Sequence, residues 1–217
     1  MKMNTLIRKG ISETIGVALF VTSIVAYNFN SGFHNLVLAT TLGLMILLTA
    51  TVSGGHLNPA VSLFMFARKS IDLTTLIAYW IAQLLGAFIG LYLGYSLSGA
   101  AVIAQSAPTG VSQSGVFIGE ALATTVLIML IVRLASTKRE SLIPFAVAAW
   151  VFAASTFTLT TAQANPAVTF ALMIRDGFDQ NHLMIILAEF IGALIALIYV
   201  MLLDTPTKAK KKASKKK

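Results

Sequence analysis

Eight apolar stretches limit what this chain can fold into. Six of them, near 10–29, 36–52, 74–96, 114–134, 142–161 and 181–203, are bounded by polar or charged residues. Each is close to the roughly 20 helical residues needed to cross a hydrocarbon core. The other two, 58–67 and 165–174, are about half a span long, and each opens with Asn-Pro. A segment that short cannot cross lipid alone, because its unsatisfied backbone ends would lie in hydrocarbon. It has to enter and leave by one face, shielded by protein or lining a watery cavity. Composition agrees: with 57% hydrophobic and 11% charged residues, too little polar surface is left to coat a soluble globule. The expected fold class is an all-α membrane protein with a single transmembrane domain over 1–205, and 217 residues leave no room for a soluble module.

Basic residues orient the chain, because Lys and Arg near span ends stay on the cytoplasmic side. Lys2, Arg8 and Lys9 precede the first span, Arg68 and Lys69 follow the second, and Arg133, Lys138 and Arg139 lie between the fourth and fifth. Only Arg175 falls on the other side. Both termini are therefore expected in the cytoplasm, and an even number of spans, which puts them on one side, agrees with this; the chain is expected in the plasma (inner) membrane. The net charge of +8 does not imply a nucleic-acid partner, since the charges flank apolar spans instead of forming a stripe interleaved with aromatics. Residues 206–217 read as a disordered basic tail, with seven lysines between Lys208 and Lys217. It serves topology and solubility, or it touches anionic headgroups. The N-terminal apolar run is too long for a signal peptide and lacks a small-residue cleavage site, so it is expected to remain as the first span. The chain has no cysteine, which excludes disulfides, thiolate metal sites and thiol catalysis.

The sequence also repeats itself. Asn58-Pro59-Ala60-Val61 and Asn165-Pro166-Ala167-Val168 lie 107 residues apart, as do Glu13 and Glu120. Ala82-Gln83-Leu84-Leu85-Gly86-Ala87 matches Ala188-Glu189-Phe190-Ile191-Gly192-Ala193 at an offset of 106. Each half, about 8–98 and 114–204, holds three spans and one half-length segment. Three is odd, so the halves cross the membrane in opposite senses, related by a pseudo-two-fold axis in the membrane plane. The two half-helices then dip in from opposite faces, and their Asn-Pro ends meet near the midplane. Proline suits the first helical turn, which makes Asn58 and Asn165 the helix caps. Two converging helix N-termini, each worth roughly half an elementary charge, disfavour cations and protons at the bilayer centre. The asparagine amides supply donors to a solute oxygen. The feeding segments are non-helical, and the backbone carbonyls of Gly54, Gly55, His56, Gln163 and Ala164 are expected to line the path.

These residues resemble the aquaporins, or major intrinsic proteins: Ser53-Gly-Gly-His-Leu-Asn-Pro-Ala-Val61, the second Asn-Pro-Ala at Asn165, Pro166 and Ala167, the acids Glu13 and Glu120, and Ala82-Gln83 with Gly86. The resemblance covers about residues 8–203. It implies an aquaporin-like bundle of six transmembrane helices plus two re-entrant half-helices, assembled as a homotetramer with one pore per subunit. It also implies that Asn58 and Asn165 are the central donors and that Glu13 and Glu120 bind the re-entrant loops. Gln83 is either a further loop support or an interhelical hydrogen-bonding residue. Most aquaporins follow the second Asn-Pro-Ala with Arg, whereas here the position is Val168. Counting along the family pattern gives a selectivity filter of Leu38, Ala153, Ala162 and Val168, expected to be wide and apolar. Ala164-Asn-Pro-Ala-Val-Thr169 and Asn35-Leu-Val-Leu-Ala-Thr40 resemble, more loosely, a bacterial branch associated with arsenic resistance. The implied substrates are water, glycerol-like polyols and neutral metalloid hydroxides such as arsenite; a plain water channel is the alternative.

Two other classes compete. Ion-coupled transporters also use inverted repeats, but coupling needs a midplane ion site, and the deep acids are Glu13, Glu120 and Glu189, the first two assigned to loop support. A membrane enzyme fails on inventory: His34, His56 and His182 are scattered, and no His-Glu-x-x-His or Gly-x-Ser-x-Gly pattern occurs. No metal or cofactor is expected. His34 and His182 read as solvated residues of outer connections, and Asp176 and Asp179 as caps for the last helix.

Overall fold

The computed structural model describes residues 4–26, 33–98 and 112–203, so the lysine-rich tail lies outside the described residues. The helices are α1 (Thr5–Val25), α2 (His34–Ser53), α3 (Pro59–Ala67), α4 (Leu73–Ser98), α5 (Gln113–Ser136), α6 (Ile143–Phe157), α7 (Pro166–Asp176) and α8 (Gln180–Leu203), with a short 3-10 turn at Glu140–Leu142 before α6. Helices α2, α4, α5 and α8, and the Glu140–Phe157 segment containing α6, are long and apolar enough to cross a bilayer. The remaining long helix, α1, is 21 residues and carries Arg8, Lys9 and Glu13. It is nonetheless integral, packing more extensively on α4 than any other pair of elements packs. Helices α3 and α7, with 9 and 11 residues, are the two half-length segments.

The bundle is polar at chosen points inside and apolar outside. Glu13, Gln83, Glu120 and Glu189 are 0% exposed, whereas Leu48, Ile81 and Leu202 are 57%, 63% and 78% exposed. Water would select the reverse arrangement, and lipid tolerates this one. Because lipid gives apolar helices no hydrophobic reason to associate, close backbone contact through small residues takes over. Gly86 lies against the Thr14 carbonyl and Val17 of α1, and Gly192 lies against the Ala121 carbonyl and Thr124 of α5. These are the same contact in the two repeats. The remaining packing follows suit: α1 on α4 matches α5 on α8, α3 on α8 matches α7 on α4, and α2 meets α6 across the repeats.

Local chemistry sets the helix ends. Asn4 accepts from the Leu6 amide at 2.9 Å, which starts α1 at Thr5, ahead of the residue-10 boundary expected from hydropathy. Helix α6 stops at Phe157, short of 161, because the chain must already be turning toward α7. Asp179 caps α8, accepting from the His182 amide at 3.0 Å. That bond holds its carboxyl below the ordinary carboxylate range. Asp176 does not cap: it pairs with both Nε and Nη2 of Arg175, at 2.6 and 2.8 Å. His182 is buried, not solvated, with Nδ1 2.9 Å from Asp179 Oδ1.

Candidate solute pore

The half-helices begin where their prolines require. Pro59 and Pro166 occupy the first turn, and the preceding asparagines are extended, at φ −156° and −159°. Asn58 Oδ1 accepts from the amides of Ala60 (2.8 Å) and Val61 (3.4 Å), and Asn165 Oδ1 accepts from Ala167 at 3.0 Å. Each asparagine also reaches across the repeat. Asn58 Nδ2 donates to the Ala164 carbonyl at 2.7 Å, and Asn165 Nδ2 donates to the Leu57 carbonyl at 2.9 Å. This reciprocal stitch joins the amino ends of α3 and α7. A primary amide has two N–H donors, so each asparagine keeps one beyond the stitch.

The two loops have one shape. Gly54, Gly55 and Leu57 take φ of 93°, 61° and 50°, and their counterparts Thr161, Ala162 and Ala164 take 58°, 53° and 46°. A buried glutamate sets that shape in each half. Glu13 accepts from the amides of His56 (3.1 Å) and Leu57 (2.7 Å), from Ser53 Oγ (2.6 Å) and from Gln83 Nε2 (2.7 Å). Glu120 accepts from the amides of Gln163 (3.0 Å) and Ala164 (2.7 Å) and from the Thr160 hydroxyl. In a trans peptide the C=O points opposite to the N–H. The carbonyls of Gly55, His56, Ala162 and Gln163 are therefore turned away from the carboxylates.

A cavity of about 250 Å³ lies along these loops, lined by Gly54 to Asn58 and by Gln163, Ala164 and Asn165 on one side. Leu42, Ile46, Leu127, Val147 and Val151 line the other side. Its lining extends to Met65, Ala135 and Ile143, toward the end of the bundle that holds the α5–α6 connection. Beyond the asparagines lies a second space of only about 30 Å³, bounded by Phe20, Ile24, His34, Leu38, Thr161, Ala162, Gln163, Val168 and Leu172.

The reciprocal asparagine stitch between inverted half-helices is the feature that matters most for classification, and the sequence comparisons agree with it. The family model described as Major intrinsic protein matches residues 1–199. The chain is a major intrinsic protein. It is 34% identical over 171 residues to a probable aquaporin TIP1-2 of Oryza sativa subsp. japonica, covering 74% of this chain and 67% of that protein. It is 30% identical over 196 residues to an aquaglyceroporin of Toxoplasma gondii, covering 83% of this chain and 73% of that one. In fold it is similar to the aquaglyceroporin from Plasmodium falciparum, with a TM-score of 0.80 at 21% identity, covering 93% of this chain and 98% of that one. Like other major intrinsic proteins, it is a passive membrane channel for water and small solutes and not an enzyme.

Within this channel the structure gathers three of the four expected filter residues, Leu38, Ala162 and Val168, around the small outer space. The fourth, Ala153, is misplaced. It is exposed on the same face of α6 as Phe145, Ala149, Phe152 and Thr156, while Val147, Val151, Ala154 and Ser155 form the buried face. Counting back from Asn165 does not register helix rotation, and the stripe of α6 that packs inward is Val147, Val151, Ala154 and Ser155. Phe20, Ile24 and Leu172 line this space together with Leu38, Ala162 and Val168. His34, expected in solvent, lines it as well.

The remaining expected residues sit at the loops. Gly54, Gly55, His56, Gln163 and Ala164 all line the inner cavity, although the Ala164 carbonyl is already taken by Asn58. His56 packs within its loop, with Nδ1 3.1 Å from Ser62 Oγ and its ring edge-on to Tyr79. Gln83 joins Glu13 to Ser62 Oγ, reaching the latter at 3.0 Å. Sequence reasoning gave no role to Ser53 and Thr160, to Ser62 and Thr169, or, above all, to Glu189, which it named as a deep acid without assigning it a partner. The first two pairs lie 107 apart and could have been found by extending the repeat outward from the Asn-Pro-Ala motifs.

Proposed function

We propose that this channel conducts small neutral solutes carrying hydroxyls on one side and little hydration on the other, namely glycerol-like polyols and neutral metalloid hydroxides such as arsenite, alongside water. The observation that carries this reading is the mixed lining beyond the asparagines: His34, Thr161, Ala162 and Gln163 share the space with Phe20, Ile24, Leu38, Val168 and Leu172, with no cation among those residues. An arginine fork at the position of Val168 would bind water and narrow the passage. Without it, a solute is selected by accepting backbone geometry on one edge and apolar contact on the other. In this reading Asn58 and Asn165 present their remaining amide donors at mid-path, and Glu13, Glu120 and Gln83 hold the loops without touching solute.

The chain is further proposed to work as a homotetramer in the plasma (inner) membrane with both termini cytoplasmic; cross-linking in native membranes and protease protection of terminal tags check these two points. The functional test is stopped-flow light scattering on proteoliposomes, comparing water, glycerol and arsenite. Val168→Arg should lower glycerol and arsenite flux on the order of tenfold, a barrier increase near 1.4 kcal/mol, while water falls less. Equal losses for all three would remove the filter assignment. Wild-type protein that passes water alone would establish the plain water channel instead.

A further inference from the structure

The two repeats differ at one buried position. In the first, Glu13 Oε2 receives the Leu57 amide and the amide nitrogen of Gln83, both at 2.7 Å. In the second, Glu120 Oε2 receives the Ala164 amide at 2.7 Å, and the residue matching Gln83 is Glu189. Glu189 Oε1 accepts from the Asn165 amide at 2.8 Å and lies 2.9 Å from Thr169 Oγ1, whose one hydroxyl proton is shared with Gln163 Oε1 at 2.7 Å. The amides of 163, 164 and 165 are consecutive, so the two carboxyls that receive them lie side by side on one stretch of backbone. Both side chains are 0% exposed, and Glu189 Oε2 has no hydrogen-bond partner among the described residues. Among the described residues, the groups bonded to the pair are hydroxyls and backbone amides: Thr160, Gln163 and Ala164 on Glu120, and Asn165 and Thr169 on Glu189. None of these is a cation that would offset a second negative charge. Two adjacent buried carboxylates cannot both stay ionised.

We propose that Glu120 and Glu189 hold one proton between them, on the Glu189 Oε2–Glu120 Oε2 edge, so that a neutral acid in the second repeat donates where the Gln83 amide donates in the first. Each repeat then buries one net negative charge fully surrounded by donors. Glu189 is thereby a positioning residue for Asn165: it holds the backbone N–H of the pore asparagine and, through Thr169, the first turn of α7. Its effect on transport rests on the proposed role of Asn165; the shared proton does not.

The test is infrared spectroscopy of the purified full chain with isotope-labelled glutamate, read in the protonated-carboxyl C=O region, combined with permeability in proteoliposomes. Wild-type protein at neutral pH should show one protonated-carboxyl band that resists hydrogen–deuterium exchange. Glu189→Gln should abolish that band yet keep water permeability within about twofold of wild type, since the amide recreates the first repeat's arrangement. Gln83→Glu should add a second band. Absence of the band in wild type, or its survival in Glu189→Gln, overturns the shared proton. Glu189→Leu, which removes the acceptor for the Asn165 amide, should lower permeability in folded protein where Glu189→Gln does not, and a folded Glu189→Leu channel with wild-type permeability overturns the positioning role. If wild-type protein conducts nothing, the pore reading fails on its own while the infrared result stands.

Discussion

At Thr161 the second loop keeps a residue where the first loop has a glycine. Both Thr161 and its counterpart Gly54 are left-handed, at φ 58° and 93°. A side chain in that conformation costs roughly 1–2 kcal/mol, and glycine returns part of it as extra chain entropy. Thr161→Gly should therefore raise the melting midpoint, by an amount on the order of 1 kcal/mol, with permeability unchanged. A thermal-shift assay in detergent checks this, and a lower midpoint would show that the Thr161 side chain contributes more than its backbone strain costs. The asparagines illustrate a different point at the same scale. Their identity was plain from the motif, but not that each spends a donor on the opposite loop.

Among the elements, the buried glutamates convert helix packing into loop shape. Glu120 projects from α5 and serves three donors. Glu120→Gln supplies one acceptor oxygen in place of two and leaves at least one buried donor unmet, at a cost of about 1–3 kcal/mol. Expression yield and thermal midpoint should both fall, and glycerol flux with them, whereas Glu189→Gln is tolerated; a fully stable Glu120→Gln channel would contradict the anchoring role. The α5–α8 contact that carries Glu120 and Glu189 is equally constrained. A Cβ on Gly192 would come 2.5 Å from the Ala121 carbonyl, so Gly192→Ala must separate the helices. The expected loss is about 1–3 kcal/mol, as for an overpacked core, measurable as a lower unfolding midpoint.

For the whole molecule, the proposed barrier to cations and protons has no charged residue among those lining the outer space. Two half-helices meet by their amino ends, each contributing about half a positive charge, and the apolar ring beyond them interrupts a continuous file of water. Proteoliposomes that pass water should accordingly hold a proton gradient, followed with an entrapped pH dye. Rapid collapse of the gradient relative to protein-free vesicles would mean that the opposed dipoles are inadequate without an arginine.

Span number, the half-length segments, the inverted repeat and the capping asparagines were legible in the sequence, because each rests on local chemistry: hydrocarbon thickness, proline's missing donor and a fixed residue offset. Gly86 and Gly192 were likewise visible as matched small residues. The packed structure decided which residues meet. Ala153 falls outside the lining because α6 packs inward on the stripe of Val147, Val151, Ala154 and Ser155. Phe20, Ile24 and Leu172, remote in sequence, joined the lining of the outer space. Glu189 gained its role only when α8 set it beside Glu120. Those outcomes depend on helix rotation and on contacts between repeats, which residue spacing along one chain does not encode.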